Sequence, residues 1–318
     1  MSLSFSISKE ISDNFYPFTQ TRKAEDIRIG ILTIKEKWQL LNANEEITSL
    51  RLPGITSNET KTIEKLTDII HLNDWAICQD FALLTKNRTS QPVSSTNKII
   101  APENVFLEEA VKMEHCIINA SNGPVYIGKN AEVMEGSVLR GPVSIGENAI
   151  VKMGTKIYAS TTIGPHSMAG GEIKNSIIFG YSNKAHDGYL GDSVLGEWCN
   201  LGAGTSNSNI KNTAGDVKLW NHAIQAYESV GLKCGLIMGD YSRAAINTSF
   251  NTGTVVGVCC NIFNEGFPPK FIPDFTWGNE RYELPKAMND IDNWKKLKGK
   301  RITEEEKVLL EKIYKQPK

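Results

Sequence analysis

Residues 125–170 read VYIGKNAEVMEGSVLRGPVSIGENAIVKMGTKIYASTTIGPHSMAG, and an aliphatic or small apolar residue returns at every sixth position. The series is Ile127, Val133, Leu139, Ile145, Val151, Ile157, Ile163 and Ala169. Two residues before each stands a small or β-branched one: Val125, Ala131, Ser137, Val143, Ala149, Thr155, Thr161 and Ser167. A helical period of 3.6 cannot generate this pattern, and simple alternation does not single out the sixth residue. The physical reading is a parallel β-solenoid with a triangular coil, in which each hexad makes one flat side and a corner and the aliphatic residues stack inward. Gly128, Gly146, Gly164 and Gly170 follow aliphatic members, where a sharp bend is expected to call for positive φ.

Further along, Leu195 and Leu201 resume the period, and Met238, Ala244, Phe250, Val256 and Ile262 carry it on. Two stretches break it, about 171–189 and about 205–234, and such breaks are expected to map to loops, where chemistry usually sits. The expected organisation is a small α/β segment over 1–98, the solenoid over 99–283 and C-terminal helices over 284–318. Pro285 to Leu297 predicts a helix with Pro at its start and Gly299 past its end. Thr303 with Glu306 predicts a capping box opening a second helix, and the lysines there read as a solvated face.

Composition narrows the function. The 318 residues hold Lys+Arg 35 against Asp+Glu 36, a net charge of -1, so no global field draws in nucleic acid or an anionic membrane. No apolar run approaches the ~20 residues of a spanning helix, and Met1 to Ile11 lacks the basic start and apolar core of a signal peptide. A cytoplasmic protein is the expectation. Cys78, Cys116, Cys199, Cys234, Cys259 and Cys260 form no CxxC pair and read as buried, reduced thiols. His166, His186 and His222 are scattered, so no metal site is expected. Phosphate-loop, dinucleotide, HExxH and GxSxG motifs are absent from the sequence.

The most suggestive stretch is Lys184-Ala185-His186-Asp187-Gly188-Tyr189-Leu190-Gly191-Asp192, just before the hexads resume. A loop histidine is suited to general-base work at neutral pH, and Asp187 is placed to orient the turn or the ring. A histidine satisfying a loop hydrogen bond is the plainer alternative. Lys156 and Lys174 are suited to an anionic substrate group, and Asn200, Asn207 and Asn209 flank Gly202-Ala203-Gly204-Thr205, whose backbone amides are candidate donors to a carbonyl or phosphate.

These residues resemble the hexapeptide-repeat acyltransferases, and most closely the acetyltransferase half of the bifunctional enzyme GlmU. The segment Lys184-Ala185-His186-x-x-Tyr189-Leu190-Gly191-Asp192, followed by Asn200-Leu201-Gly202-Ala203-Gly204-Thr205 and Asn209, carries the likeness. It implies a left-handed parallel β-helix acting as a homotrimer, with acetyl-CoA as co-substrate and a sugar phosphate or sugar nucleotide as acceptor, in the formation of UDP-N-acetylglucosamine. His186 would be the general base. Lys174, Tyr189, Asn200 and Asn209 would contact the sugar, and Ala203, within Gly202 to Thr205, would lie beside acetyl-CoA. The family's substrate arginine falls on Lys156, which keeps the charge but loses the bidentate fork.

Pro17-Phe18-Thr19-Gln20-Thr21-Arg22 and Ile27 to Trp38 are similar to a GlmU-related group named as sugar nucleotidyltransferases. About 100 residues cannot build a nucleotidyltransferase domain of usual size, so residues 1–98 read as a shortened, docking or vestigial segment. Mg2+ would be needed only if that segment retains nucleotidyl transfer. Two alternatives stay open beside the acyltransferase: a nucleotidyltransferase-related protein, and a non-catalytic solenoid that binds a sugar nucleotide.

Overall fold

The computed structural model describes residues 3–56 and 59–316; of the opening stretch Met1 to Ile11, Met1 and Ser2 lie outside it. Beyond a small N-terminal segment the chain winds into a parallel β-solenoid with three flat faces. Face 1 is a ten-stranded sheet from Lys112–Met113 to Glu280–Arg281. Face 2 has six strands, from Lys98–Ile100 to Tyr189–Gly191, and continues as the pair Ser206–Asn207 and Ser249–Phe250. Face 3 has nine, from Val105–Leu107 to Phe271–Ile272. Ladders join equivalent residues of successive coils, as in Val125, Val143 and Thr161. The inward aliphatic series forms one continuous core, with Ile127, Leu139, Ile145, Val151 and Ile163 wholly buried. Glu103 to Met113 is part of the first coil.

The corners correct the reading of the glycines. None of Gly128, Gly146, Gly164 and Gly170 has a positive φ. They are glycine because the next coil's backbone leaves no room: a Cβ on Gly146 would stand 2.6 Å from Pro165 N and 2.8 Å from Gly164 C. The left-handed conformation falls two residues later at the corner from face 3 to face 1, on Asn130 (φ 55), Asn148 (φ 54) and His166 (φ 57). His166 then stacks on Tyr181 and Tyr181 on Trp198, with ring centroids 4.6 and 4.4 Å apart. Corners from face 1 to face 2 use Gly136, Gly154, Gly171, Gly188 and Gly204 in the same role.

Only one of the two breaks in the period is a loop. Across 171–189 the coils continue through the strands Glu172–Lys174, Ile177–Ile178 and Asn183–Lys184. What changes is coil length: Lys156 pairs with Glu172, and Thr162 with Ile177, because corners there are shorter. The second break is an excursion carrying the antiparallel hairpin Lys218–Asn221 with Ala226–Ser229.

The rest of the chain covers one of the three faces and one corner. The N-terminal segment, with helices α1 (Lys9–Asp13), α2 (Ile34–Leu40), α3 (Asp68–His71) and α4 (Asn73–Thr85), packs its apolar side on face 3. Face 3 is therefore buried on both sides, and strands such as Val125–Ile127 are apolar throughout. The segment is pinned by polar contacts: Thr162 Oγ1 donates to Gly30 O (2.9 Å), and Asn73 Nδ2 donates to Ser160 O (2.8 Å). Arg22 is buried against Asp240, stands 3.4 Å from Glu197, and lies over the Phe179 ring.

Helices α5 (Leu284–Lys296) and α6 (Glu304–Tyr314) pack over Trp198, Tyr241, Cys259 and Phe275 at the corner from face 3 to face 1. Pro285 stands in the first turn of α5, Gly299 has φ 68, and the Thr303–Glu306 capping box is formed. The lysines are not all solvated, however: Lys295 is buried, pairs with Glu306 and sits over Trp198. All six cysteines are free thiols, and Cys78 alone is not buried. Among the described residues no helix is long and apolar enough to cross a membrane. Face 2 stays bare, with Ile117, Val138 and Tyr158 about 40% exposed.

Two corner glycines differ in what a side chain would meet. Gly146→Ala is expected to cost about 1–3 kcal/mol, because only backbone can yield to the new methyl. Gly154→Asn, at φ 68 with nothing within 4 Å, is expected to cost roughly 1 kcal/mol or less. Denaturant midpoints of the two variants check the order; the reverse order would refute the close-approach explanation.

Candidate active site

The corner from face 1 to face 2 between Asn183–Lys184 and Tyr189–Gly191 consists of Ala185, His186, Asp187 and Gly188. The preceding corner has only Gly170 and Gly171, between Met168–Ala169 and Glu172–Lys174. With that corner shortened and bare of side chains, a depression of about 440 Å³ opens, lined by His186, Asp187, Ala203, Gly204, Met153 and Asn247 among others. His186 is exposed, and its imidazole makes no hydrogen bond or ion pair with the described residues. Asp187 does not hold the ring. Its carbonyl instead accepts from Gly204 N (3.1 Å) and from Lys184 Nζ (3.3 Å).

Lys184 is the residue whose role the sequence reading missed. It occupies an inward position of the face 1 ladder, beside Ala169, and is 1% exposed. Its ammonium donates to the carbonyls of Gly170 (3.2 Å), Asp187 and His186, tying the histidine's corner to the short one. Burial pushes its pKa down to about 8, against a smaller opposing pull from Asp187. The available signal was positional: extending the inward series through a shortened coil places a lysine where aliphatics stand.

The amides of Gly202 to Thr205 are mostly committed. Gly202 N donates to Ala244 O (2.9 Å), Gly204 N to Asp187 O and Thr205 N to Gly202 O (3.2 Å). Ala203 N–H alone of the four makes no hydrogen bond among the described residues, and Ala203 is exposed. Thr205 is buried, its hydroxyl donating to Ala245 O (3.0 Å), which takes that side chain out of the exposed surface.

On bare face 2, Lys156, Glu172 and Tyr189 are consecutive rungs of one ladder, which sets Lys156 and Tyr189 roughly 10 Å apart. Lys174 is exposed on the adjoining row. Asn209 Nδ2 donates to Tyr189 Oη (3.1 Å) and to Asp192, whose other oxygen accepts from Asn175 (2.6 Å). Burial and Asp192 push the Tyr189 pKa up to about 12, so the phenol stays protonated with its own O–H unspent. Asn207 is buried and bonds both N and O of Gly191. Asn200 stands apart on face 1, between Asn183 and Arg243, and is not brought together with Tyr189 within one chain. Among the described residues no three of His, Cys, Asp and Glu converge as metal ligands.

A family profile described as bacterial transferase hexapeptide (six repeats) matches residues 124–159, and one described as sugar nucleotidyl transferase matches 8–53. The bifunctional protein GlmU of Methanocaldococcus jannaschii is 37% identical over 113 residues, 36% of this chain and 27% of that protein. A bifunctional sugar-1-phosphate nucleotidylyltransferase/acetyltransferase of Sulfurisphaera tokodaii is 34% identical over 92 residues, 29% of this chain and 23% of that protein. The match thus spans about a quarter of each relative's own length. A hexapeptide transferase family protein from Anaplasma phagocytophilum aligns over 69% of this chain and 83% of its own, at 19% identity and a TM-score of 0.27. The chain carries a hexapeptide-repeat solenoid and is a homologue of GlmU-type proteins over the matched stretch.

Lys184 supplies a test by pH. Its folded pKa lies near 8 and its unfolded value near 10.4, so between them the unfolded chain keeps a proton that the native chain has released. Its contribution to stability therefore rises with pH across that window and is lowest below it. Lys184→Met is expected to flatten the rise in melting temperature from about pH 8 to pH 10 relative to wild type. Identical pH slopes in the two proteins would show that the ammonium is not held as described.

Proposed function

We propose that the chain is an acyltransferase that moves an acetyl group from acetyl-CoA to an amino sugar phosphate or sugar nucleotide. The observation that carries this reading is that one depression is lined, from corners of successive coils, by an exposed, unpartnered His186 and by exposed Ala203, whose amide makes no hydrogen bond among the described residues. One residue is suited to accept a proton and the other to receive a developing oxyanion, on a backbone that Lys184 fixes from below.

In the proposed step a ring nitrogen of His186 takes a proton from the acceptor amine as that nitrogen attacks the thioester carbonyl. The C–N bond forms, the oxyanion rests against Ala203 N–H, and the C–S bond breaks as the carbonyl reforms. The leaving thiolate takes the proton from the imidazolium and departs as CoA thiol, so no covalent enzyme intermediate is needed. Lys156 and Lys174 supply positive charge on bare face 2, and the free O–H of Tyr189 is available to a sugar or phosphate oxygen. Because Asn200 lies on a different face from Tyr189, a site using both would take residues from two copies of the chain, which fits a proposed homotrimer.

For the N-terminal segment the proposal is docking rather than nucleotidyl transfer. Arg22, in the stretch similar to sugar nucleotidyltransferases, is held by Asp240 and Glu197 of the solenoid.

Thiol release from acetyl-CoA, measured across amino sugars, sugar phosphates and UDP sugars, tests the reading. One acceptor class is expected to support release, and His186→Ala to lower turnover by about 10²–10⁴ while leaving the melting temperature unchanged. A fully active His186→Ala protein would overturn the assignment of the base; a folded wild type silent with every acceptor would favour a binding role.

A further inference from the structure

A second cavity, of about 800 Å³, opens where three distant parts of the chain meet, and it shares no lining residue with the His186 depression. Lys9, Arg22 and Lys23 come from the N-terminal segment, His222 and Gln225 from the tip of the hairpin excursion, and Lys312 from α6. Each segment is anchored on the solenoid independently, so the cavity is a product of their docking.

The charges are unbalanced. Four cations line the cavity against one acid, Asp13. Lys9 is engaged by Asp13 and Arg22 by Asp240 and Glu197. Lys23 and Lys312, from opposite ends of the chain, form no salt bridge among the described residues. The walls also hold orphaned polar atoms. His222 stacks on Tyr16 with ring centroids 4.0 Å apart, yet its Nδ1 is buried without a partner, as is Nε of Arg22. Neither atom is accessible from the cavity space, so the unpaired charge, and not these atoms, decides what the cavity suits. Ile7, Leu309 and Ile313 provide an apolar side, and the volume lies within the ~300–1,000 Å³ usual for small-molecule sites.

We propose that this cavity is a second ligand site, for a small phosphorylated organic molecule. Its phosphate lies between Lys23 and Lys312, and its apolar part rests on Ile7, Leu309 and Ile313. The site stands apart from the acyltransferase reading and does not depend on it.

Calorimetric titration of the full chain with adenosine 5′-monophosphate and with inorganic pyrophosphate tests this. Adenosine monophosphate is expected to bind, more weakly as salt is raised. The double variant Lys23→Gln/Lys312→Gln is expected to lose at least about tenfold in affinity, the size of one charge-assisted contact. Both side chains are exposed, so its melting temperature should match wild type. Lys98→Gln/Lys112→Gln, at exposed solenoid lysines, should bind as wild type does, and so should His186→Ala. Absence of binding by either probe up to about 10 mM, or equal affinity in the Lys23/Lys312 variant, overturns the proposal. Pyrophosphate binding without adenosine monophosphate binding overturns it too, by assigning the cavity to an inorganic anion.

Discussion

Parallel coils stacked at about 4.8 Å leave no room for a side chain between one corner backbone and the next, and the architecture follows from that spacing. Inward positions must be filled by stacking aliphatics such as Ile127, Ile145 and Ile163, and close corners by glycine such as Gly146. Each coil then presents three outward rows, which the rest of the chain either covers or leaves bare. Face 3 is covered by the N-terminal segment and the adjoining corner by α5 and α6, while face 2 stays bare.

The candidate site arises where this regularity is relaxed by small amounts. Loss of side chains and length at Gly170–Gly171 opens a depression, and an ammonium replaces an aliphatic in the core at Lys184. A buried ammonium is costly unless hydrogen-bonded, and three backbone carbonyls meet that need. The same bonds hold the corner from which His186 projects. Stability is thus spent locally to fix a backbone that a loop of ordinary polarity would leave mobile.

The segments outside the repeat show how differently a motif and a contact can be read. The Thr19 to Arg22 stretch is similar to sugar nucleotidyltransferases, yet Thr21 donates to Asp240 (2.8 Å) and Arg22 pairs with it, which makes the stretch a clamp on the solenoid. The neighbouring Lys23 forms no salt bridge among the described residues and lines, together with Lys312, a cavity that no local pattern foreshadows. Lys295 teaches the same lesson: in a lysine-rich helix, only packing distinguishes the buried member from the solvated ones.

Hexad spacing alone determined the solenoid and its inward residues from Ile127 to Ala169, because each coil pairs with its neighbours and a local period is enough to specify the contact. The helix boundaries at Pro285, Gly299 and Thr303 were legible for the same reason, since caps are made by residues three or four apart. Tertiary structure decided which glycines are needed for space and which for φ, that 171–189 stays within the coils, and that Asn200 and Tyr189 lie on different faces. It also decided that Lys184 is a core residue and that Lys23 and Lys312 line one cavity. Those outcomes depend on shortened corners and on segments docking from hundreds of residues away, and neither leaves a periodic trace in the sequence.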